Sequence, residues 1–125
     1  MSQAKRLPAG LRVFVVEDEA LVVMNLEAML EDLGCVVVGP AMRFAQADEM
    51  ISKGVDADVA LLDVNLGGRP VFDLAARLAA GGIPIAFTTG YGRSGLPDAW
   101  LDRPILQKPY SMSEVEEGLA AAIGA

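Results

Sequence analysis

The chain has 125 residues, of which 53% are hydrophobic and 22% are charged, so we expect one packed domain rather than a disordered acidic segment. Seventeen acidic residues against ten Lys and Arg give a formal net charge of −7, which disfavours direct binding to nucleic-acid phosphates. The sequence has no histidine and one cysteine, Cys35, which excludes a Ser-His-Asp triad, an imidazole metal site and an internal disulfide.

Apolar runs and helical stripes alternate along the chain. Short runs rich in β-branched residues predict five buried strands, at residues 11–16, 35–38, 59–62, 83–87 and 105–107. Apolar residues at helical spacing predict a helical segment after each strand, at residues 22–33, 44–52, 70–78, 98–101 and 111–123. This alternation predicts an α/β fold with a parallel sheet and helices on both faces, in either a Rossmann-like or a flavodoxin-like strand order.

Local signals predict where several elements begin and end. Gly39 and Pro40 are expected to close the second strand, and Pro70 is expected in the first turn of the third helix. An S-x-x-E sequence starting at Ser111 is a capping box that predicts the start of the last helix, with Met112 facing the core.

The ends of the chain and its apolar runs bear on its location. Residues 1–10 are predicted to be a loose leader, and residues 11–125 the folded domain. The leader lacks the apolar segment of a secretory signal, and no apolar run reaches the roughly 18 residues that span a bilayer. We therefore predict a cytoplasmic protein that has no contact with membranes.

Polar residues follow four of the predicted strands. They are Glu17 and Asp18 after the first, Asp63 after the third, Thr88 and Thr89 after the fourth, and Lys108 after the fifth. Because parallel strands end at one edge of a sheet, we expect these side chains to lie close together. Three carboxylates with one lysine favour a hard divalent cation, Mg²⁺. The E-D-E run after the first strand stands where a dinucleotide-binding fold needs a glycine-rich turn, which argues against such a site.

This set of residues, in this order, resembles the receiver domain of a two-component response regulator. The resemblance implies a flavodoxin-like three-layer sandwich with a five-stranded parallel sheet in the order 2-1-3-4-5. It implies that Asp63 is the phosphoacceptor, with a histidine kinase or a histidine phosphotransfer protein as donor. It further implies the roles of the surrounding residues: Mg²⁺ held by Glu17, Asp18, Asp63 and the backbone carbonyl of Asn65, a switch hydroxyl from Thr89, and a lysine that pairs with the phosphoryl group, Lys108.

Two positions depart from the common receiver pattern. Ile105 stands where most receivers carry a Tyr or Phe that swings inward on activation. The run F-T-T-G-Y at residues 87–91 is similar to that of a subgroup, often free-standing, marked by F-A-T-G followed by Tyr, with Thr88 replacing the Ala. These features predict signalling through Gly90 and residues 93–104 instead of an aromatic ring flip.

Some alternatives stay open at this level. The resemblance implies a signalling module that catalyses only its own phosphorylation and dephosphorylation, as a monomer or weak dimer. The alternative is a Mg²⁺-dependent aspartyl phosphohydrolase, although Asn65 occupies the position where such an enzyme needs a general acid. The order of Thr88 and Thr89 is also ambiguous, and the glycine after Thr89 favours Thr89 as the switch residue. No output domain is predicted.

Overall fold

The computed structural model describes residues 7–90 and 95–124. Its elements follow the chain in this order: β1 (Arg12–Val16), α1 (Ala20–Asp32), β2 (Val36–Ala41), α2 (Phe44–Lys53), β3 (Val59–Asp63), β4 (Asn65–Leu66), β5 (Arg69–Pro70), α3 (Phe72–Ala80), β6 (Ile85–Thr89), β7 (Ile105–Gln107) and α4 (Met112–Ile123). A 3₁₀-helix at Asp98–Trp100 stands where the fourth of the five helical segments is predicted.

Five of the strands form one parallel sheet in the order β2-β1-β3-β6-β7. β4 and β5 pair with each other as a separate antiparallel hairpin. Without that hairpin, the five sheet strands read 2-1-3-4-5 in chain order, so the predicted flavodoxin-like order is confirmed. All five carboxyl ends consequently lie at the same edge of the sheet, where such folds bind their ligands.

The sheet is covered on both faces, as the three-layer prediction requires. Alternate residues of β1 point to opposite sides: Val13 and Val15 join a core that includes residues of α1 and α4, and Phe14 joins one that includes residues of α2 and α3. Among the described residues, no helix combines the length and the hydropathy that a membrane span needs.

The second strand differs from its prediction. β2 continues through Gly39 and Pro40 to Ala41, and it is not fully buried, because Val36 is 51% exposed. β2 is an outer strand, paired with β1 alone, so it lacks the second neighbouring strand that buries β1 and β3. An apolar run does not indicate whether its strand will lie at the edge or in the centre of a sheet.

Two predictions at helix starts are also wrong. Pro70 lies in the short strand β5, and α3 begins two residues later at Phe72. Leu74, Ala75 and Leu78, which have helical spacing, are buried on α3. Met112 is exposed because it occupies the first turn of α4, and burial on that helix begins at Val115.

The beginning of the described chain is packed. Leu7 is buried in the core on the α1 and α4 side, although it falls within the predicted loose leader. The rest of that predicted leader, residues 1–6, lies outside the described residues.

The capping box of α4 allows the contribution of a helix cap to the free energy of unfolding to be tested. The Ser111 hydroxyl accepts a hydrogen bond from the Glu114 amide at 3.1 Å, and the Ser111 amide donates to Glu114 Oε1 at 2.9 Å. Ser111→Ala leaves one of these amides without its partner, so we expect a loss of about 1 kcal/mol in the free energy of unfolding, measured by urea denaturation. Ser113→Ala, an exposed position in the same turn, is the matched control, and equal effects of the two substitutions would contradict this account.

Candidate phosphoacceptor site

The carboxyl ends of the sheet strands enclose an open acidic cleft. Its volume is about 230 Å³, and it is lined by Asp18, Glu19, Asp63, Asn65, Gly90 and Lys108. These residues follow β1, β3, β6 and β7, which are adjacent in the sheet. The structure therefore brings together residues that are up to 90 positions apart in the sequence, as the parallel topology predicts.

Lys108 lies at the centre of this cleft. Its Nζ atom is 2.9 Å from Glu17 Oε1, 3.1 Å from Asp63 Oδ2 and 3.2 Å from Glu19 Oε1. Burial alone would lower the pKa of the Lys108 ammonium, but its close contacts with the carboxylates of Glu17 and Asp63 outweigh burial and raise it. Lys108 is therefore a fixed positive charge. Its backbone is also held, because its amide donates to the Thr89 carbonyl at 2.8 Å.

Asp63 ends β3 and is buried. Its two carboxylate oxygens have different partners: Oδ1 accepts a hydrogen bond from the Asn65 amide at 3.2 Å, and Oδ2 accepts one from Lys108 Nζ. A carboxylate with one oxygen on a cation and the other on a backbone amide is held in a single orientation. Asp63 is thus held in place on both of its oxygens.

Glu17 is an almost completely buried carboxylate, with 2% of the residue exposed. Burial raises its pKa to about 7, against the lowering effect of Lys108 and with a further rise from the Asp63 charge. Oε2 accepts a hydrogen bond from the Glu19 amide at 3.1 Å. Oε1 has the Lys108 contact but no hydrogen bond of good geometry to any described residue, so it has acceptor capacity left for a ligand.

Asp18 is tied to the hairpin formed by β4 and β5. The Gly67 amide donates to Asp18 Oδ2 at 2.9 Å, and the Gly68 amide donates to the Asn65 side-chain oxygen at 2.9 Å. The sequence analysis missed this hairpin. A Gly-Gly pair between two short extended segments is a known two-residue hairpin signal, and it could have been recognised.

The two threonines at the end of β6 occupy different surroundings. Both are buried, and Thr88 pairs in register with Asp63. Thr89 lines a second cavity of about 180 Å³, which also contains Asp63, Asn65, Phe72 and Gly90. This geometry favours Thr89 over Thr88 as the hydroxyl beside the candidate acceptor, and its role as a switch stays a prediction.

The region proposed to signal is only partly described. Tyr91 and residues 92–94 lie outside the described residues. Trp100 packs edge-on against Phe87 at 5.5 Å between ring centroids and stacks on Phe72 at 6.5 Å. Ile105, at the position of the usual aromatic switch, pairs with Phe87 in the sheet. Aromatic side chains are thus packed behind β6, although none occupies position 105.

The donor set of the cleft suits a hard cation. Carboxylate oxygens of Glu17, Asp18, Glu19 and Asp63 lie within 4.8 Å of one another. The spare acceptor capacity of the buried Glu17 oxygen and the all-oxygen chemistry both fit Mg²⁺. The sequence analysis did not place Glu19 among the acids of the cleft, although the E-D-E run after β1 contains it.

Comparisons with known proteins place these features in a family. Residues 13–119 match the family model described as the response regulator receiver domain. The transcriptional regulatory protein PdtaR of Mycobacterium tuberculosis is 31% identical over 116 residues, which cover 90% of this chain and 56% of PdtaR. The phyllosphere-induced regulator PhyR of Methylorubrum extorquens is 30% identical over 122 residues, covering 89% of this chain and 43% of PhyR. The chain thus spans about half the length of the curated relatives it matches.

A solved structure resembles the whole described fold. The solution structure of SdrG from Sphingomonas melonis Fr1 superposes with a TM-score of 0.81 at 39% sequence identity. The match covers 95% of this chain and 100% of SdrG.

The raised pKa of Glu17 predicts a pH dependence of stability. An ordinary Glu titrates near 4.5, and the folded state holds its proton up to about pH 7, so the folded state binds more protons between these values. Stability from this group is therefore fully present below about pH 4.5 and is lost as the pH rises through 7. In metal-free buffer, we expect the wild-type free energy of unfolding to fall relative to that of Glu17→Gln by about 2–3 kcal/mol over this range.

Urea denaturation at a series of pH values measures this difference. Subtracting the Glu17→Gln curve removes the contributions of the other carboxylates, which both proteins share. A difference that stays flat or rises with pH would show that Glu17 ionises normally in the folded state.

Proposed function

The chain belongs to the response regulator receiver family, and on that basis we propose that it accepts a phosphoryl group on Asp63, with Mg²⁺, as part of a two-component phosphorelay. One observation carries this proposal: the buried Asp63 carboxylate lies 3.1 Å from Lys108 Nζ, in a cleft that three further carboxylates share. The family membership makes the chain a receiver domain, and the identity of the acceptor rests on this geometry.

The proposed reaction is an in-line displacement at phosphorus. An Asp63 oxygen forms the new O–P bond while the P–N bond of a phosphohistidine donor breaks, and the imidazole leaves with the bonding electrons. Asp63 reacts as the carboxylate and needs no general base. The hydrogen bond from the Asn65 amide and the contact with Lys108 hold it in one orientation for this attack.

Lys108 and Thr89 supply the remaining protein contacts. Lys108 stays charged and can follow the phosphoryl oxygens, since its Nζ already lies on the acceptor carboxylate. Thr89 lines the cavity beside Asp63, so its hydroxyl is placed to donate to a phosphoryl oxygen after a small displacement. Such a displacement at the end of β6 changes the packing behind that strand, which is how a local charge becomes a signal.

The metal would be held by Asp18, Asp63 and the backbone carbonyl of Asn65, with Glu17 completing the set. When bound, Mg²⁺ neutralises charge on the transferring phosphoryl group. Asp18 would keep its hydrogen bond from Gly67 on one oxygen and use the other for the metal, because a carboxylate has lone pairs on both.

The partners follow from the same proposal. We expect the donor to be a histidine kinase or a histidine phosphotransfer protein, in the cytoplasm, with the receiver acting as a monomer or weak dimer. A related protein, PhyR of Bartonella quintana, is described as an anti-anti-sigma factor, so the downstream partner of this chain is also expected to be a protein. The phosphohydrolase alternative is weaker, because Asn65 cannot serve as the general acid that a hydrolase needs two residues after its nucleophile.

Phosphorylation of Asp63 is tested by incubation with acetyl phosphate and Mg²⁺. We expect the intact mass to rise by one phosphoryl group in the wild type and to stay unchanged in Asp63→Asn, because an amide is a poor nucleophile. Asp32→Asn, an exposed residue at the end of α1, is the matched control and should gain the group normally.

Two results would contradict the proposal. Phosphorylation of Asp63→Asn at the wild-type rate would place the acceptor elsewhere. Steady turnover of a phosphate monoester such as p-nitrophenyl phosphate would favour the hydrolase.

Magnesium binding is tested separately from phosphorylation. Asp18→Asn removes one carboxylate charge from the cleft, so we expect Mg²⁺ affinity, measured by calorimetry, to fall by about tenfold or more. Glu27→Gln, which removes a carboxylate of α1 outside the acidic group, should bind Mg²⁺ like the wild type. Unchanged affinity in Asp18→Asn would remove Asp18 from the metal site.

A further inference from the structure

Glu19 is the one residue of the acidic group that the proposed reaction does not use. Its side chain is 63% exposed, yet its Oε1 atom lies 3.2 Å from Lys108 Nζ and accepts a hydrogen bond from it. The other two carboxylates on Lys108, from Glu17 and Asp63, are buried at strand ends. The ammonium of Lys108 thus has three N–H donors and three acid partners, of which only Glu19 is exposed.

The position of Glu19 makes this contact informative. Glu19 is the N-cap residue of α1, where a side-chain oxygen commonly accepts a hydrogen bond from the helix's own first turn. Here the side chain makes no such bond and reaches across to Lys108 instead. Glu19 and Lys108 together also line both the acidic cleft and a neighbouring groove bounded by Met29 and Tyr110. The pair therefore forms part of the wall between these two spaces.

A phosphoryl group on Asp63 changes the contacts that are available to the Lys108 ammonium. The acyl phosphate carries about two negative charges where the carboxylate carried one, and it brings three acceptor oxygens to a lysine that already hydrogen-bonds Glu19 and Asp63 and contacts Glu17. To pair with a phosphoryl oxygen, Lys108 must therefore loosen one of these contacts. Glu17 is fixed by burial and by a backbone hydrogen bond, and Asp63 is itself the acceptor, whereas the exposed Glu19 side chain can turn into solvent at little cost.

We propose that Glu19 is a positioning residue that competes with the incoming phosphoryl group for Lys108, and so slows phosphorylation of Asp63. It acts through its contact with the ammonium and is not a ligand of the metal. This inference rests on the proposed phosphoryl transfer and adds to it a residue that sets the rate.

The test compares two substitutions that separate contact from charge. Glu19→Gln removes the charge, and Glu19→Asp keeps the charge but is one methylene too short to reach Lys108. Each variant is incubated with acetyl phosphate and Mg²⁺, and the rate of phosphorylation is followed by intact mass; an Asp63 oxygen bonds to phosphorus as acetate leaves with the electrons of the broken P–O bond. We expect both variants to react about two- to fivefold faster than the wild type, the size of effect that an exposed ion pair supports.

A second measurement distinguishes an effect of Glu19 on Lys108 from an effect on Mg²⁺ binding. Calorimetry should give Glu19→Asp the Mg²⁺ affinity of the wild type within about twofold, since its charge is retained near the cleft. Glu27→Gln, in the helix that follows Glu19, is the control for loss of a carboxylate, and we expect the wild-type rate from it.

Several results would overturn the inference. If Glu19→Gln is phosphorylated faster than the wild type but Glu19→Asp is not, Glu19 acts only by repelling the anionic phosphodonor. If neither variant is faster, Glu19 does not restrain Lys108, and if Glu19→Asp binds Mg²⁺ much more weakly, Glu19 is a metal ligand. A wild-type chain that gains no phosphoryl group overturns the proposed function instead, and this inference falls with it.

Discussion

The contact of three carboxylates with the single ammonium of Lys108 is the constraint around which the cleft is organised. Four acidic side chains within 4.8 Å of one another would repel strongly if nothing opposed them. Lys108 reduces that repulsion, and the backbone hydrogen bond from its amide to Thr89 fixes the lysine to the neighbouring strand. The remaining negative charge is what gives the cleft its chemistry, because it favours a divalent cation beside the acceptor.

Much of the fold was accessible from the sequence because the central strands are buried on both faces. β1, β3 and β6 each contain three or four consecutive apolar residues, and such runs stand out whatever their surroundings. β2 shows the limit of the same reasoning. Its residues are equally apolar, and only the three-dimensional arrangement reveals that it lies at the edge with Val36 exposed.

The position of the candidate site was predictable from the sequence, but the contacts between its side chains were not. Parallel topology brings Asp18, Asp63 and Lys108 to one edge of the sheet, and this follows from chain order alone. The partner of each carboxylate depends on details that periodicity does not encode. Glu19 hydrogen-bonds Lys108 instead of its own helix, and Thr89 lines the cavity beside Asp63 although Thr88 is the residue in register with it.

The hairpin of β4 and β5 joins two distant parts of this architecture. Its tip holds Asp18 through the Gly67 amide, and at its other strand the Arg69 guanidinium stacks 3.5 Å above the Phe44 ring at the start of α2. Nothing lies within 4 Å of a β-carbon built on Gly67 or Gly68, yet both have left-handed backbones, with φ of +58° and +90°. The choice of residue at positions 67 and 68 is therefore limited by the backbone conformation and not by space. A side chain would fit there, but L-residues other than glycine rarely adopt a left-handed backbone.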